Sequence, residues 1–232
     1  MNFLALDTSS DACSIALQLG ENVADRHIVK QKEHTKILIP LIRELMTEAG
    51  ADFADLDAIV LGNGPGSFIG MRIAASVAQG LAFASGKKIV PVSSMAAIAA
   101  EVMDNHQSKT VVVAQDARMN EVYLGTYRSD GDGLPVVVTD EVIQSIERIA
   151  GLTDTPTTEF HAAGKGFQKY PLLLELNRSA IAKVVDVNYP KARYLLTLGI
   201  RGCMEGEAID PEKLVPAYIR TKVAEVPRRS GP

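Results

Sequence analysis

The chain has 232 residues, of which 47% are hydrophobic, and its 24 Lys and Arg against 28 Asp and Glu leave a net charge of −4. This apolar content suffices for a full core or two lobes and excludes an intrinsically disordered chain. Two cysteines in this length exclude a disulfide framework, and the acidic balance argues against a stand-alone nucleic-acid binder. Residues 1–7 lack the basic region of a signal peptide, and the longest uncharged stretch, 73–86, is too short to span a bilayer. We therefore expect a cytoplasmic protein without membrane contact.

Apolar spacing predicts an α/β chain, because runs with a period of two residues alternate with runs at helical spacing. The first half opens with strands that pair as antiparallel hairpins, and helices with short buried strands follow. The predicted strands are 3–7, 13–19, 23–29, 57–61 and 89–92, and the predicted helices are 35–49, 71–85 and 93–103.

The second half repeats this order after the polar stretch 104–108. Its predicted strands are 110–114, 121–127 and 136–138, and its predicted helices are 141–149, 170–176 and 192–204. We therefore predict two lobes, 1–105 and 106–232, each a mixed sheet that opens with antiparallel strands and is flanked by helices. The segment 192–220 is a candidate to pack back across the lobe boundary.

Two polar motifs at strand ends are candidates to hold a phosphate, and a third is a candidate contact for a ligand or a partner. A carboxylate with hydroxyls and turn amides can bind a metal-bound phosphate, and a glycine-rich loop before a helix presents amides to an anion. The residues are Asp7, Thr8 and Ser9 after the first strand, Gly64, Gly66 and Ser67 in a glycine-rich loop before the second helix, and Asp116 and Arg118 after a strand of the second lobe.

Each motif also has a purely structural interpretation. The first is then an ordinary polar turn, the second a tight strand-to-helix connection, and the third an Asp–Arg pair that closes a hairpin. The glycine loop lacks the Gly-Lys-Ser/Thr ending of a P-loop, and Pro65 has no amide to offer. The four histidines show no His-x-x-x-His spacing, so we predict no metal site.

The first two helices, 35–49 and 71–85, are predicted to form a partner interface. The first is apolar on more than one side, and the second carries a single charge, Arg72, among many small residues. Two such helices from each of two chains can form a four-helix interface, and a large apolar patch seldom stays bare. The predicted contact residues are Ile37, Leu38, Leu41, Ile42, Leu45, Met46, Ile73, Val77 and Leu81.

These motifs, in this order, resemble the TsaB (YeaZ) family of the ASKHA superfamily, which has actin-, hexokinase- and Hsp70-like two-lobed folds. The resemblance covers nearly the whole chain and is weakest over 130–190. The motifs that carry it are Leu4-Ala5-Leu6-Asp7-Thr8-Ser9 with Cys13-Ser14, His34-Thr35, Gly64-Pro65-Gly66-Ser67-Phe68 with Gly70-Met71-Arg72, Asp116-Ala117-Arg118-Met119 with Glu121-Val122-Tyr123, and Pro216-x-Tyr218-Ile219-Arg220. One departure is Ile69, where the family usually has Thr.

The resemblance implies a role in making N6-threonylcarbamoyladenosine, the modified base 3′ of the anticodon in tRNAs that read codons beginning with A. In that family TsaB works with TsaD, which carries the transferase site, and with TsaE, an ATPase. TsaD holds a metal through a His-x-x-x-His pair, and Ser94 and Ile98 stand at the corresponding positions here. The resemblance therefore implies a non-catalytic scaffold subunit whose phosphate motifs are vestigial.

The partners implied are TsaD directly, TsaE through the TsaB–TsaD complex, a second copy of the chain when TsaD is absent, and tRNA only within the complex. No cofactor is expected to bind tightly, and weak ATP or ADP binding is expected only in the complex. The alternative from another class is an ATP-dependent kinase-like ASKHA enzyme that uses Asp7 and the loop 62–70. A metalloprotease is disfavoured by the missing ligand pair.

Overall fold

A computed structural model describes residues 1–30, 33–149, 152 and 159–219, which form two five-stranded sheets and their helices. Arg220, the last residue of the motif that begins at Pro216, lies outside the described residues. The strands are β1 (Asn2–Asp7), β2 (Ala12–Leu19), β3 (Asn22–Val29), β4 (Ala58–Gly62), β5 (Lys88–Val92), β6 (Thr110–Arg118), β7 (Glu121–Ser129), β8 (Pro135–Ser145), β9 (Phe160–Ala163) and β10 (Ile181–Val184). The helices are α1 (His34–Glu48), α2 (Phe68–Ser85), α3 (Ser94–His106), α4 (Lys165–Lys169), α5 (Leu172–Leu176) and α6 (Ala192–Met204).

The first sheet has the strand order β3-β2-β1-β4-β5, with β1, β2 and β3 antiparallel and β4 and β5 parallel to β1. Strand β1 is apolar on both faces because both are covered. Leu4 and Leu6 join the core under α1 and α2, whereas Phe3 and Ala5 join the core under α6. This sheet therefore has helices on both sides.

The second sheet has the order β10-β9-β6-β7-β8, with an antiparallel β6-β7-β8 meander and β9 and β10 parallel to β6. Val111 and Val113 face the core that includes α3, and Val112 faces the core that includes α4 and α5. Two mixed sheets that open with antiparallel strands confirm the predicted two-lobed, ASKHA-like α/β fold.

Helix α6 lies on the first sheet although it follows the second in sequence. Its N-terminus is fixed there because the Ala192 amide donates to the Ser14 hydroxyl at 2.9 Å. Gly199 allows the close approach: a Cβ at this position would lie 2.4 Å from a Val60 methyl group. Helix α6 thus covers the face of the first sheet opposite to the face covered by α1 and α2.

One predicted element is wrong. The segment 141–149, predicted as a helix, continues strand β8 to Ser145 and pairs with β7, with Val142 opposite Leu124. A single helical turn of the 3-10 type follows at Ile146–Arg148. The β-branched pair Val142 and Ile143 favours a strand once β7 offers an edge to pair with, and this long-range pairing outweighs local helical spacing.

Helix α2 begins three residues earlier than predicted because the Ser67 side chain accepts a hydrogen bond from the Gly70 amide at 3.3 Å and caps it. Among the described residues it is the one helix long and apolar enough to cross a membrane by length and composition alone, and core helices of soluble proteins pass the same test. Its Ala74, Ala78 and Ala82 pack into the core of the first sheet.

Candidate functional site

A cleft of about 650 Å³ lies where residues from both lobes meet. Its first-lobe side includes Ser9, Gly66 and Ser67, and its second-lobe side includes Asp116 and Arg118. Five of the eight predicted phosphate-motif residues therefore line one cavity. The other three, Asp7, Thr8 and Gly64, are buried beneath its first-lobe side.

Asp7 is fully buried, and its carboxylate accepts three hydrogen bonds from within the chain. Oδ1 accepts from the Ser9 amide and the Ser9 hydroxyl, each at 2.8 Å, and Oδ2 accepts from the Ser94 hydroxyl at 2.5 Å. Burial raises the pKa of Asp7 to about 6, because the bonds from Ser94 and Ser9 offset only part of the desolvation. The carboxylate is thus held by the chain itself.

Ser94, at the start of α3, ties the glycine loop to this carboxylate. Its hydroxyl accepts from the Gly64 amide at 3.1 Å while donating to Asp7, and its own amide donates to the Gly64 carbonyl at 2.8 Å. The contact between Asp7 and Ser94 joins residues 87 positions apart, and no local pattern in the sequence predicts it. The family resemblance points to Ser94 only as a position at which TsaD has a metal ligand.

The glycines of the loop allow it to contact the turn after β1. A Cβ would lie 2.0 Å from Asp7 Oδ2 at Gly62, 2.2 Å from the Ser9 carbonyl at Gly66, and 1.9 Å from the Thr8 carbonyl at Gly70. Each distance is far below any real contact, so only glycine fits.

Two hydrogen bonds complete this junction. The Ser67 amide donates to the Ser9 carbonyl at 2.6 Å, and the Thr8 hydroxyl donates to the Gly70 carbonyl at 2.7 Å. The Gly64 N–H donates to Ser94 and Pro65 has no N–H. The loop therefore has fewer free donors to offer an anion. The geometry favours the structural interpretation of the glycine loop, a tight strand-to-helix connection.

The second-lobe side of the cleft is more exposed and more highly charged. Asp116 accepts from Lys169 Nζ at 2.7 Å, from the Tyr170 hydroxyl at 2.9 Å and from the Arg118 amide at 2.9 Å. Burial alone would raise the pKa of Asp116, but the bonds from Lys169, the Arg118 amide and Tyr170 outweigh it and lower the pKa. No local pattern predicts the contacts of Lys169 and Tyr170 with Asp116, because both residues lie more than 50 positions away from it in the chain.

The turn between β6 and β7 has an unusual backbone. Arg118, Met119 and Asn120 all have positive φ angles, of 63°, 51° and 58°. The left-handed conformation costs energy for residues other than glycine and is best tolerated by Asn. The side chain of Arg118 is 73% exposed, so the predicted Asp–Arg pair is a loose contact of 3.7 Å at the cleft edge.

A second cavity, of about 430 Å³, is a groove between α1 and α2. The structure corrects the predicted interface here, because Leu38, Leu41, Ile42, Leu45 and Met46 are buried in the core of their own lobe. Their helical stripe packs against the core of their own lobe, and of the five only Leu38 also lines the groove. The four others, Ile37, Ile73, Val77 and Leu81, are partly buried against the same core.

The exposed apolar residues near this groove are different ones. On α2, Ile69 and Phe83 are 70% and 72% exposed, and on α1, Ile39 is 47% exposed. Ile69, Arg72, Ser76, Gly80 and Phe83 recur at three- and four-residue spacing along the solvent-facing side of α2. We call this row the outer face of α2.

A ring cluster joins the first turn of α2 to the last described residues. The Arg72 guanidinium lies 3.6 Å from the centre of the Phe68 ring, and Arg72 Nε donates to the Tyr218 hydroxyl at 2.8 Å. The Phe68 and Tyr218 rings lie 5.8 Å apart. Tyr218 belongs to a motif noted in the sequence, but its contact with Phe68 and Arg72 could not be read from it.

Within the described ranges, no three His, Cys, Asp or Glu side chains converge as metal ligands would. Ser94, which stands at one of the two positions corresponding to the metal ligands of TsaD, donates its hydroxyl hydrogen to the Asp7 carboxylate.

Comparison with known proteins places this architecture in a family. A family model described as TsaD, tRNA N6-adenosine threonylcarbamoyltransferase, matches residues 26–227. The tRNA threonylcarbamoyladenosine biosynthesis protein TsaB of Haemophilus influenzae is 33% identical, with 96% of this chain and 95% of that protein covered. TsaB of Escherichia coli is 30% identical, with 97% and 96% covered. YeaZ from Pseudomonas aeruginosa superposes with a TM-score of 0.85 at 34% identity, covering 94% of this chain and 99% of that one. The chain belongs to the TsaB (YeaZ) family.

Proposed function

We propose that this chain is a non-catalytic subunit needed for tRNA threonylcarbamoyladenosine synthesis. With TsaD and TsaE it supports transfer of the threonylcarbamoyl group from threonylcarbamoyl-AMP to N6 of the adenosine 3′ of the anticodon. It acts in the cytoplasm and meets tRNA only within the complex. The names of its relatives TsaB in Haemophilus influenzae and Escherichia coli support the pathway.

The single observation that carries the non-catalytic role is the first-lobe side of the cleft. Asp7 is buried under three hydrogen bonds from Ser9 and Ser94, and the amides of Gly64 and Ser67 are bonded to Ser94 and Ser9. A phosphate that used these groups would have to displace their bonds, and a buried group that loses its partner costs about 1 to 3 kcal/mol. These groups are therefore already engaged in contacts within the chain.

The partner surface in this proposal is the outer face of α2 with the adjoining groove, not the buried stripe of α1. Only 33% of the residues of this apolar helix are buried in the chain, and exposed apolar patches rimmed by polar residues mark interaction sites. Gly80 lies in the middle of the outer face, with nothing within 4 Å of a Cβ placed on it, so a partner helix can approach closely. TsaD binds this surface, and a second copy of the chain covers it when TsaD is absent.

Reconstitution tests the proposed function. Purified TsaD, TsaE, threonylcarbamoyl-AMP and tRNA are combined with and without this chain, and the modified base is measured. Modification only when the chain is present is the expected result. Equal modification without it, or modification by this chain alone, contradicts the proposal.

Surface variants test the partner surface in the same assay. Ile69→Asp and Phe83→Asp replace exposed side chains, so the fold should survive while binding to TsaD and tRNA modification are lost. Met204→Asp is the matched control, because Met204 is 76% exposed at the end of α6, on a different helix. Wild-type binding by both α2 variants contradicts this surface.

A further inference from the structure

The last described residues, 214–219, form a strap that runs from one lobe to the other. Leu214 is buried in the core under α1 and α2, whereas Ile219 packs against the core of the second sheet. Between them the Asn63 side-chain amide donates to the Val215 carbonyl at 3.1 Å. Just before the strap, the Gln79 side-chain amide donates to the Pro211 carbonyl at 2.9 Å. The strap is thus fixed at both ends.

Tyr218 is the residue by which the strap contacts the first turn of α2. Its hydroxyl accepts from Arg72 Nε at 2.8 Å, and its ring lies 5.8 Å from Phe68 and 5.4 Å from the Arg72 guanidinium. Arg72 is therefore held between two rings by a hydrogen bond and by cation–π contacts. A free arginine side chain would otherwise sample many rotamers.

This first turn separates the two cavities. Phe68 and Ile69 line both the interlobe cleft and the groove, Arg72 lines the groove, and Tyr218 lines the cleft alone. Because Tyr218 contacts Phe68 and Arg72, the strap fixes the end of the groove that these two residues line. A surface that is ordered before binding loses less conformational entropy when its partner docks.

We propose that Tyr218 is a positioning residue for partner docking: by holding Phe68 and Arg72, it fixes the end of the groove to which TsaD binds. The proposal rests on the proposed function, since the occupant of the groove is the partner named there. Tyr218 itself lies on the cleft side of this turn. Its effect is transmitted through Arg72 and Phe68.

Calorimetry with purified TsaD measures the effect. Tyr218→Ala removes the ring and the hydroxyl, and we expect binding about tenfold weaker because Arg72 and Phe68 lose their packing. Tyr218→Phe removes the acceptor alone and should weaken binding about threefold. The matched control is Tyr194→Phe, which removes a hydroxyl that is bonded to Asp104 on α3, away from this turn, and should leave the affinity unchanged.

A double-mutant cycle shows whether Tyr218 acts through Arg72. Arg72→Lys keeps the charge but loses the Nε donor and the planar stack. If the two residues act together, adding Tyr218→Phe to Arg72→Lys causes little further loss. Faster hydrogen exchange at amides 69–72 in Tyr218→Ala, with an unchanged unfolding midpoint, is the expected structural signature.

Two results would overturn the proposal. One is wild-type affinity in Tyr218→Ala while Ile69→Asp abolishes binding, which leaves the proposed partner surface intact. The other is strict additivity of Tyr218→Phe and Arg72→Lys, a result that also decides the matter if Tyr218→Ala fails to fold. Failure of the proposed partner surface would instead show as wild-type binding by both Ile69→Asp and Phe83→Asp, and failure of the proposed function as equal tRNA modification with and without this chain.

Discussion

The two sides of the interlobe cleft use the same residue types in opposite ways. On the first-lobe side, Asp7 is fully buried and its pKa is raised to about 6, because its hydrogen-bond donors only partly replace water. On the second-lobe side, Asp116 is nearer the solvent and its pKa is lowered, because Lys169 and other donors stabilise its charge. Sequence motifs with a similar polar character thus produce a sealed junction in one lobe and a charged edge in the other.

A polar motif at a strand end therefore does not by itself make a binding site. Such a motif can bind a ligand only if its donors and acceptors face the cavity instead of bonding to one another. Around Asp7 they bond to one another, through contacts that the glycines permit.

The largest effect is expected where the glycine loop contacts the turn after β1. Gly70→Ala places a Cβ 1.9 Å from the Thr8 carbonyl oxygen, so backbone must move, and we expect a loss of about 4 kcal/mol in the free energy of unfolding. Gly131→Ala is the control, at an exposed turn outside the proposed partner surface with open space around it, and should change the free energy of unfolding by less than about 0.5 kcal/mol. Urea denaturation measures both, and equal effects would mean that the junction is not tight.

The next effect is the pH dependence that Asp7 contributes. Its pKa is about 6 in the folded chain against 3.8 in the unfolded one, so the folded state holds the proton more tightly. The stability that Asp7 contributes is present below pH 4 and is lost as the pH rises through 6, a change of about 3 kcal/mol. The unfolding free energy of wild type minus that of Asp7→Asn should therefore fall between pH 4 and 7.5. A difference in unfolding free energy that does not change with pH would mean that the pKa of Asp7 is the same in the folded and the unfolded chain.

Asp116 should show the opposite pH dependence and a smaller effect. Its lowered pKa means that its stabilising contribution is present at neutral pH and is lost as the pH falls through that pKa. Asp116→Asn weakens the contact with Lys169, whose side chain is 44% exposed, and we expect a loss of about 1 kcal/mol at pH 7. Thermal unfolding of both proteins at a series of pH values from 7 downward checks it, since the loss should persist down to about pH 3.8 and shrink only as the pH falls further.

The smallest effect concerns the left-handed turn. Met119 has a φ of 51°, and Met119→Gly should stabilise the chain by about 0.5 to 1 kcal/mol because glycine adopts this conformation without strain. Met119→Asn should give a smaller gain, since Asn tolerates the same region. A loss of stability in both variants would show that side-chain contacts of Met119 outweigh the backbone strain.

Much of the fold could be predicted because alternation and helical spacing are local signals. The hairpin of β1 and β2, helices α1 to α3, and the two-lobed order all follow from them. The region 141–149 could not be predicted, because its pairing with β7 depends on a distant strand. Likewise, spacing identified Leu38, Leu41 and Leu45 as an apolar stripe but could not tell whether a partner or the chain's own sheet covers it.

The residues of the candidate site could be named from the sequence, but the hydrogen bonds they make could not. In the folded chain Ser9 donates to Asp7, and Gly66 lies against the Ser9 carbonyl. What they do depends on Ser94, on the Thr8 carbonyl and on distances that only the folded chain sets.

The most direct test of the account is a calorimetric titration of the isolated chain with magnesium and ATP. Because the amides of Gly64 and Ser67 and the carboxylate of Asp7 are already bonded within the chain, we predict no binding up to millimolar nucleotide. Submillimolar binding that Asp7→Asn abolishes would contradict the account and would instead support a kinase-like enzyme.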